Sequence, residues 1–136
     1  MSKDFVYSYE TDIDQEQLVQ LFSSVEWKSW EFPNRLYHAI RQSDYVISVW
    51  NGEELIALLS AITDGYINVF ITYLVVKPIY QKCGIGKTLM KEFCEKFEWF
   101  GRRILTANED MELYYNKFWF SVGAIAMFNK DWKEDC

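Results

Sequence analysis

The sequence predicts an α/β fold, a mixed sheet flanked by helices on both faces, and three observations carry that expectation. Segments with apolar residues at every second position alternate with segments of helical spacing. Three strand-like runs in the middle of the chain are joined by short turns, which builds antiparallel pairing. A longer helical run then separates two strand-like runs, and a crossover helix between parallel strands has to pack back on the sheet.

Each element has its own signal. "FVYSYE" alternates Phe5, Tyr7 and Tyr9 with Val6 and Ser8 and reads as the first strand. Asp14 stands as a cap three residues before Gln17, and Leu18, Leu21, Phe22 and Val25 then recur on one helical face. "EWKSWEF" has no period and reads as a loop, after which Pro33 opens a short helix carrying Leu36, Tyr37 and Ile40. "DYVISVW" and "LIALLSAIT" flank the turn "NGEE", and Asp64-Gly65 turns the chain into "YINVFITYLVV". Pro78 stops that strand. From Ile85, Leu89, Phe93, Phe97 and Phe100 line a helix that Gly101 is expected to terminate. "RRILTAN" supplies a short strand, "EDMELYYNKF" a short helix, and "FSVGAIAMFN" a final strand around Gly123.

Length and composition narrow the class. A chain of 136 residues, 50% hydrophobic and 18% aromatic, has enough apolar material for one domain spanning residues 1–136 without disulfide staples. A net charge of -6 opposes broad attraction to nucleic acid or anionic membranes, and favours a cationic small molecule. Cys83, Cys94 and Cys136 are scattered, and a lone His38 has no partner at ligand spacing, so neither a disulfide framework nor a metal site is expected. The charged start "MSKDFVYSYE", with no run of about 18 apolar residues anywhere, reads as a cytoplasmic protein with reduced thiols.

The stretch "YQKCGIGKTL" carries the chemistry. A phosphate-binding P-loop, GxxxxGK[ST], finds its end in Gly86, Lys87 and Thr88, but its first glycine falls on Gln81. A dinucleotide fingerprint, GxGxxG, finds Gly84 and Gly86 but has Leu89 at its third glycine. What survives is Q/R-x-x-G-x-G/A between a strand and a helix. Backbone N–H groups at a helix start are unsatisfied, and the helix dipole places roughly +0.5 charge there, so a pyrophosphate can bind main chain directly. Side chains at positions 84 and 86 would obstruct it.

This pattern resembles the pyrophosphate loop of the GNAT superfamily of acyl-CoA N-acyltransferases. The resemblance extends to "NEDMELYYNKFWF", where Asn108 precedes by seven residues Tyr115 of a segment similar to F/L-Y-x-K-x-G-F. The stretches from Trp27 to Ser43, "LIALLSAITDG" and "AMFN" also resemble a small subfamily near the arylalkylamine N-acetyltransferases. Trp119 occupies the place where the family has glycine, and Tyr73 a place where relatives often carry an acidic residue.

The resemblance implies acetyl-CoA as acyl donor and a small amine as acceptor, with direct attack in a ternary complex. Gln81, Lys82, Cys83, Gly84, Ile85, Gly86, Lys87 and Thr88 would form the diphosphate loop. Leu74, Val75 and Val76 would run beside the pantetheine arm, an N–H near Val75 polarising the thioester carbonyl. Tyr115 would give a proton to the departing thiolate. With reference pKa values near 10 and 8.5 that transfer is uphill by roughly 2 kcal/mol, so hydrogen bonding suffices for the role. Asn108 serves as a helix cap, as a donor to the pantetheine amides, or as both. Trp27, Trp30, Glu31, Phe32 and Tyr73 would wall the acceptor side, aromatic faces with a carboxylate suiting an ammonium on an apolar body. Glu26 and Glu31 are candidate bases, and the final strand is expected to pair across a homodimer. Other readings stay open: transfer of a longer acyl group, acylation of a protein amine, a GNAT-like sensor that binds acyl-CoA without turnover, and a structural or interaction domain whose glycines serve packing only.

Overall fold

The structure is a computed structural model describing residues 4–129 together with Trp132 and Asp135; Cys136 lies outside the described residues. Five strands form one sheet in the order β1 (Val6–Ser8), β2 (Tyr45–Asn51), β3 (Glu54–Thr63), β4 (Asn68–Val76) and β5 (Arg102–Ile104). The first four pair antiparallel and β5 joins β4 in parallel. Helices α1 (Gln15–Ser24) and α2 (Pro33–Arg41) cover one face, α3 (Ile85–Lys96) covers the other, and the short α4 (Glu112–Asn116) comes after β5.

Both faces of β3 are therefore covered, which is why Leu55 to Ala61 is buried throughout instead of alternating. Leu18, Leu21 and Phe22 of α1 with Leu36 and Ile40 of α2 bury against Val46, Leu55, Leu58 and Val75. On the opposite face Leu89, Met90 and Phe93 of α3 bury against Ile47, Ile56, Leu59 and Ile71. Asp14 caps α1 by accepting the Gln17 N–H at 3.1 Å, and Pro33 starts α2, both as the residue types require. Asp64 holds the β3–β4 turn: its Oδ1 accepts from the N–H groups of Tyr66, Ile67 and Asn68, which keep its carboxyl well below the usual carboxylate range.

An irregularity in β4 decides which side chains reach each face of the sheet. Ser60 pairs with Tyr73 but Ala61 pairs with Ile71, so Thr72 is an extra residue, its hydroxyl 2.6 Å from that of Ser60. Before the bulge Val69 and Ile71 point toward α3; after it Leu74 and Val76 do, leaving Tyr73 and Val75 to face α1. A regular strand would have sent Tyr73 to the other side of the sheet.

Three expectations change. The segment "EWKSWEF" contains a 3-10 turn, Lys28–Glu31. The third helix ends at Lys96 and Phe97 caps it, so Gly101 does not terminate it; a Cβ there would simply meet Ile67 at 3.6 Å. The expected final strand, residues 120–129, is not a strand. Apolar alternation makes a strand only where a ladder partner exists, and β5 offers an edge of three residues. Instead the chain returns to α2, where Trp132 lies 5.0 Å from Phe32 and the Asp135 carboxylate accepts the N–H groups of Asn34 and Arg35.

Phe22 is fully buried and supports both Trp27 and Tyr73 edge-on, at 6.1 and 4.8 Å between ring centroids. Phe22→Ala is expected to cost about 3–5 kcal/mol in chemical denaturation.

Candidate active site

β4 and β5 pair only from Asn68 to Phe70. Beyond that point the outer edge of β4, residues 71–76, has no strand partner among the described residues. The Lys77 N–H donates to the Ile56 carbonyl at 2.9 Å, and because backbone groups alternate in direction along an antiparallel strand, those of Val75 also point to β3. Leu74 and Val76 therefore present their backbone to the open edge. The Val75 N–H itself belongs to the sheet, so the free donors near Val75 are those of Leu74 and Val76.

The chain leaves that edge through a braced turn. Lys77 pairs with Glu54 at 2.7 Å, the Tyr80 hydroxyl donates to the same carboxylate at 3.3 Å, and Asn51 donates to Tyr80 at 2.9 Å. Gln81 turns its side chain back to donate to the Val76 carbonyl at 3.0 Å. Lys82 and Gly84 then take left-handed backbone, φ 65° and 85°, the first strained for a side chain and the second free for glycine. Gly84 caps α3, and the first helical bond runs from the Thr88 N–H to the Gly84 carbonyl at 3.0 Å. The N–H groups of Ile85, Gly86 and Lys87 precede it and have no partner within the helix.

Ile85 is buried and anchors the turn, whereas Lys82, Cys83, Gly84, Lys87 and Thr88 are exposed. Nothing lies within 4 Å of a Cβ built on Gly84, so that face of the loop is open. A Cβ on Gly86 would stand 3.1 Å from the Tyr114 hydroxyl and 4.0 Å from Val76. The Thr88 hydroxyl donates to the Gly84 carbonyl at 3.0 Å and so points back into the helix.

The helix α4 brings two tyrosines to this place. Tyr115 packs against the α3-side core, and burial, with adjacent Tyr114, pushes its hydroxyl up to about 12. Burial also raises Tyr114, whose ring lies 5.0 Å from Tyr115 with Lys117 5.6 Å above it. Asn108 is exposed and starts the preceding turn through its carbonyl, which accepts from Met111 at 2.9 Å. Trp119 has φ 69°: it adopts the left-handed backbone that a glycine takes without strain, with its side chain 92% exposed.

On the other side of β4 the bulge sets Tyr73 against Trp27, 5.9 Å between rings, and its hydroxyl 2.7 Å from that of Ser29. Trp27 and Trp30 are about two-fifths exposed, and Glu26 and Glu31 are exposed. Ser29, Tyr114 and Lys117 gave no usable signal in the sequence, since each lies beside a residue with a stronger pattern and is placed only by the fold. His38 is exposed, its ring edge-on to Tyr37 at 5.2 Å.

A profile of the acetyltransferase (GNAT) family matches residues 9–120. The chain belongs to the GNAT acetyltransferase family. Solved structures share its fold at low identity. A GNAT-family acetyltransferase of Streptococcus pneumoniae is 23% identical, with a TM-score of 0.78 over 94% of this chain and 100% of its own. Glucosamine-6-phosphate N-acetyltransferase of Arabidopsis thaliana is 11% identical, with a TM-score of 0.72 over 94% and 99%. An aminoglycoside acetyltransferase from an uncultured soil sample, in complex with sisomicin, is 18% identical, with a TM-score of 0.68 over 95% and 97%. No curated protein matches the sequence.

In this GNAT chain the residues fit an acyl-CoA. The open face at Gly84 and the unpartnered amides of α3 suit a diphosphate, and the unpaired edge of β4 suits an arm that carries amides. No three His, Cys, Asp or Glu side chains gather among the described residues as a metal site requires, and no described helix is long and apolar enough to cross a membrane.

Left-handed backbone costs an L side chain about 1–2 kcal/mol, and glycine gives back about 0.5–1 kcal/mol in chain entropy. Trp119→Gly is therefore expected to stabilise the protein by up to about 1 kcal/mol in urea denaturation, with Trp119→Ala giving no comparable gain. Tyr45 and Tyr115 are both pushed from 10.0 to about 12, so the folded chain keeps protons that the unfolded chain releases. Their stabilisation is complete below pH 10 and is lost as pH rises toward 12. The melting temperature should fall across that interval, and fall less steeply in Tyr45→Phe.

Proposed function

We propose that this GNAT protein transfers the acetyl group of acetyl-CoA to a small primary amine while both are bound. The observation that carries the reading is the continuity of the free edge of β4, residues 71–76, with the open amide end of α3. Main chain that would otherwise be paired is thereby offered to a ligand of matching length and polarity.

When bound, acetyl-CoA supplies an activated thioester. The amides of Ile85, Gly86 and Lys87 would hold its diphosphate across the open face at Gly84, Lys82 and Lys87 would add charge, and Leu74 and Val76 would offer backbone to the pantetheine amides, with Asn108 as a further donor. Transfer would form a C–N bond and break the C–S bond, the amine nitrogen giving up one proton and the sulfur gaining one. A Tyr115 hydroxyl raised to about 12 stays protonated at any physiological pH, which suits a hydrogen-bond donor to that sulfur. Trp27, Trp30 and Tyr73 receive the acceptor, and aromatic faces beside Glu31 favour an amine on an aryl or other apolar body.

Trp119 does not argue for a site that has lost turnover. Its backbone is left-handed, φ 69°, a conformation open to glycine, so the bulky residue leaves the turn after α4 in a shape that glycine could also take. The same proposal includes a homodimer, supported by Val122, Ile125, Met127 and Phe128, which are 74–93% exposed and which a second copy would cover.

Gly86→Asp puts a carboxylate against both the amides and the Tyr114 hydroxyl, and should abolish CoA binding in calorimetry while the protein stays folded. Tyr115→Phe should lower turnover, measured as thiol release from acetyl-CoA across an amine panel, with CoA affinity nearly unchanged. Equal CoA affinity in wild type and Gly86→Asp would overturn the loop assignment, and binding without release for any amine would make the protein a sensor.

A further inference from the structure

The tyrosine that stands at the loop is not the one in the family position. Consecutive residues on a helix diverge by about 100°, so Tyr114 and Tyr115 cannot face the same way. The half-buried Tyr115 packs against the core on the α3 side, whereas the Tyr114 hydroxyl reaches Gly86 in the first turn of that helix, 3.1 Å from where a Cβ would be.

The chemistry at that point is one-sided. The Gly86 N–H and its neighbours are donors without an acceptor, and among the described residues nothing accepts the Tyr114 proton either. Donors converging on one small volume, with the Lys117 ammonium over the same ring, call for an oxygen-rich anion. The absent side chain at Gly86 leaves room for the hydroxyl, and the face at neighbouring Gly84 is open.

We propose that Tyr114 is a cofactor-binding residue whose hydroxyl donates to the diphosphate of the bound acyl-CoA, closing from the α4 side the cradle that α3 opens. The proposal rests on the acyl-CoA reading and adds to it a donor from a second element. Burial keeps the phenol protonated, as this role needs. The hydroxyl also couples α4 to the loop, so that the cofactor ties the two together.

Calorimetric titration of the full chain with CoA tests it in wild type, Tyr114→Phe and Tyr115→Phe. Phenylalanine keeps the ring contacts with Tyr115 and Phe118, and the melting temperature of the free protein should hold. Tyr114→Phe is expected to weaken CoA binding about tenfold, the size of one charge-assisted hydrogen bond, and to act on the KM for acetyl-CoA more than on kcat. Gly86→Ala should then harm CoA affinity more in wild type than in the Tyr114→Phe background, where the colliding oxygen is gone. Equal or tighter CoA binding by Tyr114→Phe would overturn the proposal and leave the acyl-CoA reading standing. Failure of the wild type to bind CoA would overturn both.

Discussion

Backbone hydrogen bonding is the constraint on which this molecule turns. Every buried N–H and C=O needs a partner, and the sheet supplies one for nearly all of β2 and β3. It stops supplying one along β4, because β5 leaves after three paired residues. What remains is a run of polar main chain at the edge of an apolar core, and its end at Val76 lies beside the unsatisfied start of α3, 4.0 Å from where a Cβ on Gly86 would be. In the proposed function that strand separation is what acyl-CoA would use, with little demand on side-chain identity.

The rest of the structure keeps that gap open and aims groups into it. The Glu54, Lys77, Tyr80 and Asn51 network fixes where the chain turns off the strand, and Gln81 occupies the Val76 carbonyl. Ile85 anchors the helix start in the core while its amides stay exposed. The bulge at Thr72 lets one strand serve two sides, with Leu74 and Val76 packed toward α3 and Tyr73 turned to the tryptophan-bearing loop. Besides Glu26 ahead of the tryptophan-bearing loop, left-handed backbone on a non-glycine residue appears at two places near the gap, Lys82 in the loop and Trp119 after α4. Both are places where a glycine would sit at ease.

The two aromatic regions differ in character. Around α4, burial raises the phenols and keeps them as donors. Around Tyr73, the phenol is engaged with Ser29 and its ring with Trp27 and Phe22, which makes a wall rather than an acid or base. That division is the one the proposed function calls for, a charged cofactor held by directed bonds on one side and an apolar body received on the other.

Much of this was determined locally and was legible in the residues. Asp14, Pro33 and the apolar spacing of α1 and α3 act within a turn or two of chain, and the two glycines before α3 declare an open helix start wherever the helix packs. Tertiary structure alone decided the rest, because each remaining feature depends on a partner distant in sequence. The bulge that turns Tyr73 exists only in register with Ser60, and the direction of the Val75 N–H only in the ladder with β3. The apolar run after Phe120 failed to become a strand for want of an edge to pair with. Which of two adjacent tyrosines meets the loop was settled by how α4 lies on α3, and no spacing of residues encodes that contact.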